Sequence, residues 1–413
     1  MYYATKNLFR LFTIFRVLAK YDALFFIKAI KTFPILGKIS ALTARTKTES
    51  IKNLRRGERL ALAFQELGPT FIKLGQALSV RADPVGKEIA KDLSKLQDDL
   101  PPFPTEKAKE IIESELEAKI EDFFTEFGDK PVAAASIAQV YFATDYKGNQ
   151  VAVKVLRPKV KEKFNRDLEL FYWIAKLIEQ NISKYRRLKP VEVVDTFANS
   201  TSMEMDFTFE AAAASELKEN FADDPDIVVP KVYWQLTTSK VLTIQRFSGC
   251  EIDDIEQLRK NGHSPNEILR KSAGIFLKQT LRDGFFHADM HPGNILINDK
   301  GQLCVFDFGI MGRLDKKTQI YLAEMLLAFL NRDYKKVSDI HFEAGYIPKD
   351  ESREIFAQAC RSIGEPIFDL PQNEISVARL LQQLFSVTKK KKMETKKKIK
   401  KKKKTLMMAE GLG

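Results

Sequence analysis

One stretch in the second half of the chain, His287–Gly309, constrains what this sequence can fold into more than any other, and it reads HADMHPGNILINDKGQLCVFDFG. Its middle part holds two short apolar runs around an Asn-Asp-Lys-Gly turn, a pattern typical of a β-hairpin. A hairpin here would carry Asn294, which precedes the first strand, to the same place as Asp307, which follows the second. The sequence therefore predicts a cluster of polar side chains at one end of a short hairpin.

The polar residues of this stretch have the spacing that phosphoryl-transfer enzymes of the protein-kinase type require, in which H-x-D-x-x-x-x-N forms a catalytic loop and D-F-G follows a hairpin. The pattern assigns Asp289 to the acceptor, which it orients or deprotonates. Asn294 and Asp307 are predicted to bind Mg²⁺. His287 is expected to brace the loop. His291 stands where many protein kinases carry a Lys, and its contact with the γ-phosphate is left open.

A second segment, AAASIAQV, fits the G-x-G-x-x-G-x-V frame of a phosphate-binding loop with each Gly replaced by Ala. Because Ala disfavours positive φ and adds a methyl group where the backbone must approach phosphate, we expect a stiffer loop than in ordinary protein kinases. Lys154, in VAVK, matches the strand Lys that pairs with the α- and β-phosphates. The residues predicted to bind nucleotide are Ala133, Ala134, Ala135, Ser136, Ile137, Ala138, Gln139, Val140 and Lys154.

Lys154 needs a carboxylate partner, and three candidates lie in EMDFTFEAAAASELKENF. Glu210 is preferred, because the Ala run that follows it gives a helix that can approach a sheet closely. Glu204 and Asp206 on the same segment remain alternatives. Further along, the strand KVLTIQRF is placed to be the hinge between two lobes, with backbone groups of Gln245–Phe247 facing adenine.

The residues after the D-F-G depart from the protein-kinase pattern. Ile310–Leu314 leads at once into the helical segment KKTQIYLAEMLLAFL, without an A-P-E sequence and without room for a long activation segment. The platform that binds a protein substrate is therefore missing. This favours a small-molecule phosphotransferase or an ATPase over a Ser/Thr/Tyr kinase.

Composition narrows the class of protein further. With 413 residues, 44% of them hydrophobic, the chain is expected to form about two or three globular domains. Three scattered cysteines and four histidines make a zinc site improbable, and the cysteines read as ordinary buried residues of a reducing compartment. The net charge of +12 includes 12 Lys and one Glu in Lys389–Lys404, so the rest carries 12 − 11 = +1, and no nucleic-acid partner is implied.

The first residues are apolar but interrupted by cations, and no run of about 18 uncharged apolar residues predicts a membrane-spanning helix. Residues 3–32 read as a basic amphipathic helix that could lie on an anionic membrane surface. The alternative is a helix packed on its own domain. No cleavage site for a secretory signal is evident, so a cytoplasmic location is expected.

Taken together, these segments resemble the UbiB family of atypical kinases, a group linked to ubiquinone biosynthesis. The resemblance covers roughly residues 5–388 and rests on Lys73-x-Gly75-Gln76 (the KxGQ motif), LQDDLPPFP, AAASIAQV, VAVKVLRP, MDFTFEA, HADMHPGN and VFDFG. It implies an α+β, bilobal protein-kinase-like fold with a helical KxGQ extension that folds over the active site. Lys73 and Gln76 would then have a regulatory role, blocking a protein substrate, and the Ala-rich loop would restrain kinase activity.

The resemblance also implies ATP and Mg²⁺ as cofactors, quinone-biosynthesis enzymes and polyprenylphenol lipid precursors as partners, and a location peripheral to the inner membrane. Members usually end in membrane-spanning helices, and none is predicted in this sequence. Its Lys-rich end is expected to be disordered, with an anionic-lipid contact and truncation or corruption of the sequence as the two interpretations. Oligomeric state is left open. The predicted divisions are an amphipathic segment (1–48), the KxGQ extension (49–130), an N-lobe with inserted helices (131–249), a C-lobe (250–388) and the tail (389–413).

The function predicted on these grounds is that of an ATP-dependent atypical kinase or ATPase supporting ring modification of polyprenylphenols, with Asp289, Lys154 and Glu210 as the catalytic set. One rival is a small-molecule kinase of the aminoglycoside-phosphotransferase type, which shares the catalytic loop and a short segment after the D-F-G. The other is a pseudokinase scaffold that binds nucleotide or lipid and recruits enzymes of the quinone pathway. The acceptor of the phosphoryl group cannot be named from the sequence.

Overall fold

The computed structural model describes residues 2–25, 51, 53–80, 85–94, 96, 100–186 and 188–368. Contacts divide the chain into two compact units. The first contains residues 1–215 and 230–246, and the second contains residues 216–229 and 247–413. The chain crosses between the units three times, after residues 215, 229 and 246, and the last crossing lies inside the predicted hinge segment.

The described residues form an α+β architecture. The strands, in chain order, are β1 Phe124–Phe127, β2 Ala133–Ala134, β3 Ala138–Asp145, β4 Gln150–Leu156, β5 Ile227–Val228, β6 Val241–Gln245, β7 Cys250–Glu251, β8 Phe285–His287, β9 Ile295–Ile297, β10 Leu303–Val305 and β11 Met311–Arg313. The helices are α1 Tyr2–Lys20, α2 Arg56–Leu67, α3 Pro69–Val80, α4 Lys87–Leu93, α5 Thr105–Leu116, α6 Val160–Asn181, α7 Ser183–Arg186, α8 Pro190–Glu204, α9 Phe207–Asn220, α10 Ile255–Lys260, α11 Pro265–Leu277, α12 Lys316–Leu330, α13 Tyr334–Glu343 and α14 Arg353–Phe368.

The first unit is built on an antiparallel sheet with the order β1-β3-β4-β6, to which β2 adds by pairing with β3. Strand β4 alternates between buried Val151, Val153 and Val155 and less buried residues, as a strand with one face on a core should. Lys154 therefore lies on the opposite face of β4, in register with Val140 on β3 and with Leu242 on β6.

The KxGQ helices of the first unit, α2 to α4, pack around their own apolar core, which includes Phe64, Ile72 and Leu93. Gly75 lies in close contact with this core, because a Cβ atom there would lie 2.8 Å from Leu96 Cδ1 and 2.9 Å from Phe64 Cδ2. Helix α1 joins the same core through Ile14, Val17 and Leu18. One face of α1 is therefore packed on its own domain, as the alternative interpretation predicted. A second face of the helix is exposed.

The second unit contains the predicted hairpin. Strands β9 and β10 pair antiparallel with Val305 opposite Ile295, which confirms the hairpin, and the sheet order is β5-β10-β9-β7. Gly301 closes the turn with φ +71° and an N–H donated to the Asn298 carbonyl (2.9 Å). Helices α12 to α14 surround a separate apolar core that includes Phe329 and Phe356. Within the residues that the structure describes, none of the helices is long and apolar enough to cross a membrane. The Lys-rich segment Lys389–Lys404 lies outside the described residues.

Candidate functional site

The structure chooses among the three carboxylates proposed for Lys154. Lys154 Nζ lies 2.8 Å from Glu210 Oε1 and 3.0 Å from Oε2, and the Glu210 side chain is almost fully buried. The Lys154 ammonium also lies 5.5 Å from the centre of the Phe207 ring. An ammonium held by a carboxylate on one side of a strand is the arrangement that presents a cation to nucleotide phosphates.

The other two carboxylates have different partners. Glu204 ends α8, whereas Glu210 lies in the next helix, α9. Glu204 Oε2 accepts Lys73 Nζ at 2.7 Å, and both side chains are largely buried. Asp206 lies between the helices, where its Oδ1 accepts the Thr208 N–H (3.1 Å) and hydroxyl (2.7 Å). Lys73 of the KxGQ motif thus pairs with the last residue of α8, and the next helix along the chain, α9, carries Glu210.

The Ala-rich segment forms a tight turn between β2 and β3. The Ala135 N–H donates to the Ala138 carbonyl (2.8 Å), and the Val132 N–H donates to the Val140 carbonyl (2.8 Å). None of the residues of this segment has a positive φ. The turn therefore forms without the backbone conformation that favours Gly, which is consistent with Ala at the three positions where the phosphate-loop frame has Gly.

Two residues of the predicted nucleotide set point into the protein. The Gln139 side chain is fully buried and binds the backbone of Phe103 and the Tyr141 hydroxyl (2.7 Å), so only its backbone is available to a phosphate. Ser136 at the tip of the turn is fully buried, and its hydroxyl has no protein partner among the described residues. A buried hydroxyl without a partner is costly, so Ser136 is suited to a bound water or ligand.

Sequence reasoning missed Arg157, which directly follows the VAVKVL strand. Its guanidinium donates to the carbonyls of Ala135 (2.8 Å), Pro101 (3.0 Å) and Leu100 (3.1 Å). Its position in VAVKVLRP, the motif that also contains Lys154 and follows the Ala-rich segment, could have identified it from the sequence.

Two of the predicted hinge residues form backbone hydrogen bonds within the first unit. The Gln245 N–H donates to the Lys231 carbonyl (2.8 Å), and the Arg246 N–H donates to the Gln150 carbonyl (3.1 Å). These two donors are therefore used within the first unit and are not available to adenine.

In the second unit, His287 braces the catalytic loop through both ring nitrogens. Its Nδ1 accepts the Asp289 N–H (3.1 Å), so the proton resides on Nε2, which donates to the Asp307 carbonyl. The backbone N–H of His287 donates to Gln279 Oε1 (2.7 Å), and Gln279 is fully buried on a π-helical turn, Lys278–Asp283. The imidazole thus links the loop that carries Asp289 to the strand end that carries Asp307.

The metal-binding prediction concerns Asn294 and Asp307, and the residues fit a magnesium ion. The Asn294 amide nitrogen donates to the Asp289 carbonyl (3.1 Å), which directs the amide oxygen away as an acceptor. Asp307 Oδ1 accepts the Gly309 N–H (3.0 Å). Within the described ranges there is no group of three or more His, Cys, Asp or Glu that could hold a metal. Mg²⁺ needs only one or two protein carboxylates or amides when phosphates supply the rest, so a site with few protein ligands suits it.

The segment after the D-F-G is short, as predicted. Strand β11 pairs with β8, with Met311 opposite His287, and α12 starts at Lys316. Asp315 caps this helix by accepting the Thr318 N–H (2.7 Å). All residues from Gly309 to Lys316 are described, and they leave no long activation segment.

The three cysteines are buried and free, which confirms the sequence prediction. Burial raises the pKa of the Cys304 thiol to about 11 and that of Cys360 to about 12. Because the thiolate is the reactive form, neither residue is equipped for nucleophilic chemistry near pH 7.

Comparison with known proteins places these features in a family. The model of the ABC1 atypical kinase-like domain matches residues 95–341, and the model of the UbiB helical domain matches residues 360–413. A probable protein kinase UbiB of Marinobacter nauticus is 41% identical over 408 residues, covering 98% of this chain and 74% of that protein. The probable protein kinase UbiB of Pseudomonas paraeruginosa is 40% identical over 412 residues, covering 98% of this chain and 77% of that protein.

Among solved structures, the complex of Rv3197 with erythromycin from Mycobacterium tuberculosis is similar, with a TM-score of 0.54 and 25% identity. The match covers 78% of this chain and 88% of that chain. Together with the domain models, it confirms the predicted bilobal, kinase-like α+β fold.

Proposed function

Because the chain belongs to the UbiB family of ABC1 atypical kinase-like proteins, we propose that it is an ATP-dependent phosphotransferase or ATPase that supports ubiquinone biosynthesis. The observation that carries the proposal is the Lys154–Glu210 ion pair, with Nζ 2.8 Å from Oε1. In kinase-like enzymes this pair must be in place for nucleotide chemistry. A scaffold without catalysis has no need for the pair, the catalytic-loop Asp and two metal-binding side chains together.

The residues have separate tasks in this mechanism. Lys154, oriented by Glu210, neutralises the α- and β-phosphates, and the backbone of Ala133–Val140 covers them. Asn294 and Asp307 would hold Mg²⁺, which would supply positive charge beside the phosphates when bound. Asp289 orients the acceptor or an attacking water and accepts its proton. His287 takes no part in proton transfer, because both of its ring nitrogens are used to hold backbone groups.

The acceptor in this proposal is water or a small lipid-pathway molecule. The residues between Gly309 and α12 offer no platform for a peptide. By the family resemblance, Lys73 and Gln76 of the KxGQ extension would also block a protein substrate. Polyprenylphenol precursors and the enzymes that modify them are the partners that the family resemblance favours.

An anionic membrane surface is the third proposed partner, at the inner membrane. Helix α1 exposes Leu8, Phe9 and Phe12, while its opposite face is packed in the core. Exposed Arg16 continues this face, and Lys20 at the end of the helix is paired with Glu66 (2.6 Å). Apolar side chains followed by cations are the pattern with which a helix lies at a membrane interface.

Mg-ATP hydrolysis by the purified protein tests the proposal, measured with and without anionic liposomes and a phenolic quinone precursor. We expect hydrolysis that is stimulated by both additions. Asp307→Asn should lower kcat by about 100-fold, because a metal clamp acts on charge that develops in the transition state. Glu210→Gln should lower it by a similar factor, about 100-fold, because Lys154 loses its orientation.

Two matched variants serve as controls. Asp299→Asn removes an exposed carboxylate from the turn of the same hairpin, and Glu192→Gln removes an exposed ion pair with Lys189. Both should leave turnover within about twofold, since exposed charges contribute little. Hydrolysis that is absent throughout, or that survives Asp307→Asn, would exclude the ATPase. Phosphate transferred to an added aminoglycoside, and neither to water nor to the quinone precursor, would favour the small-molecule kinase instead.

A further inference from the structure

We propose that Arg157 is the positioning residue of the Ala-rich turn, and that it holds the turn ready for nucleotide by bridging it to the segment Leu100–Phe103. This inference rests on the proposed function, since it assigns Arg157 to the same nucleotide site. It concerns a side chain that binds backbone carbonyls and would act through the backbone of the turn.

The guanidinium of Arg157 binds both sides of this bridge. Nε donates to the Ala135 carbonyl in the turn (2.8 Å), while Nη1 and Nη2 donate to the carbonyls of Pro101 (3.0 Å) and Leu100 (3.1 Å). Each of the three nitrogens thus has its own backbone acceptor. The backbone N–H of Arg157 adds a fourth bond, to the Ile137 carbonyl (2.8 Å). Main chain and side chain of one residue therefore hold two carbonyls of the turn.

Gln139 forms a second anchor of the same bridge. Its Oε1 accepts the Phe103 N–H (2.5 Å), and its Nε2 donates to the Phe103 carbonyl (3.2 Å). The Leu100 N–H donates to the Ala134 carbonyl (3.2 Å), which closes the contact at the other end. The segment Leu100–Phe103 is thus tied to the turn along its whole length, and the ring of Phe103 lies 5.7 Å from the Arg157 guanidinium carbon.

The chemistry requires an arginine at this place. A planar guanidinium directs several donors in a fixed fork, whereas a lysine ammonium has one nitrogen and cannot reach three separated carbonyls. Hydrogen bonds from a charged donor are also stronger than neutral ones. When the backbone is already ordered, less free energy is lost in ordering it on binding, so the bridge should increase the affinity for nucleotide.

Hydrogen exchange in the nucleotide-free protein and Mg-ATP affinity together test the inference. Arg157→Ala should speed exchange of the amides in residues 132–139 by about tenfold and raise the Kd and KM for ATP by about tenfold, with kcat within about twofold, because each charged hydrogen bond contributes about that factor or more. Arg157→Lys should restore little of the loss. Gln139→Ala should show the same direction with a smaller effect, and it keeps the test available if Arg157→Ala does not fold.

Arg353→Ala is the matched control, because Arg353 also has an ion pair, with Asp339 (2.6 Å), and an aromatic contact, with Phe342, outside this bridge. It should change neither exchange in residues 132–139 nor ATP affinity. Unchanged exchange and affinity in folded Arg157→Lys and Gln139→Ala would overturn the inference. If the wild-type protein binds no Mg-ATP, the proposed function fails, while the exchange comparison still decides whether Arg157 holds the turn.

Discussion

At the scale of single residues, Gly75 shows how the KxGQ motif combines chemistry with packing. Lys73 makes an ion pair with Glu204, and Gly75, two positions on, allows α3 to lie against Phe64 and Leu96. The same helix therefore combines the paired Lys73 with a glycine that packs against buried side chains. The motif therefore has a structural requirement of its own, in addition to any regulatory role.

Gly75→Ala should destabilise the protein by about 1–3 kcal/mol, because the added methyl group overlaps buried side chains. Chemical denaturation measures this free energy of unfolding. Gly274→Ala, on α11, is the matched control: a Cβ there meets nothing within 4 Å, so the same substitution in a helix should stabilise by about 0.5–1 kcal/mol. If both substitutions changed the free energy of unfolding in the same direction, the packing argument would be contradicted.

At the scale of elements, the β3–β4 hairpin that carries Lys154 depends on a buried carboxylate. Asp145 Oδ1 accepts the N–H groups of Lys147 (2.9 Å) and Asn149 (2.8 Å), and Oδ2 accepts the Asn149 side-chain amide (2.8 Å). Burial acts to raise the pKa of Asp145, but the hydrogen bonds from Asn149 and Lys147 outweigh it, so the pKa is lowered. The ionised carboxylate thus stabilises the turn that sets the register of the two strands.

The contribution of Asp145 should depend on pH. Because its folded-state pKa is lowered, its stabilisation is fully present above the unfolded value of about 3.9 and is lost as the pH falls through the lower folded value. Asp145→Asn should therefore cost about 1–2 kcal/mol at pH 7, with the difference from wild type shrinking below about pH 4. Denaturation across this pH range measures it. As a control, Asp253→Asn, at an exposed position, should cost less than about 0.5 kcal/mol. If the difference in unfolding free energy between Asp145→Asn and wild type did not change with pH, the proposed role of the ionised carboxylate would be refuted.

At the scale of the whole molecule, one buried ion pair attaches the first helix to the body of the first unit. Arg10 Nε lies 2.6 Å from Asp167 Oδ1 and Nη2 lies 2.9 Å from Oδ2, across 157 positions of sequence. Asp167 is only 2% exposed. Arg10 lies within residues 3–32, where the basic amphipathic pattern predicts cations at a membrane surface, but the structure uses it inside the protein.

Arg10→Ala should lower the free energy of unfolding by about 2–4 kcal/mol, because among the described residues the buried Asp167 carboxylate then keeps only the longer contact to Arg166 (3.4 Å). Arg16→Ala, on the exposed face of the same helix, should cost less than about 0.5 kcal/mol. Thermal and urea unfolding of both variants measure the difference. Equal losses would mean that the pair does not attach α1.

Much of the candidate site could be predicted, because its signals act over a few residues. The hairpin between Asn294 and Asp307 follows from two apolar runs and a turn, and the short segment before α12 follows from the residues themselves. The bracing role of His287 was also predictable, since it lies two positions before Asp289 in a known spacing. Such features are local, and local geometry is set by sequence neighbours.

By itself, the sequence determined the motifs, their order and the chemistry that their side chains can perform. Only the tertiary structure decided that Glu210 and not Glu204 binds Lys154, that Arg157 bridges the Ala-rich turn, and that Gln139 faces inward. The physical reason is that charge pairs and buried hydrogen bonds depend on which distant elements pack together. Several carboxylates were chemically equal candidates for one ammonium, and the path of the backbone between α8 and α9 selected one.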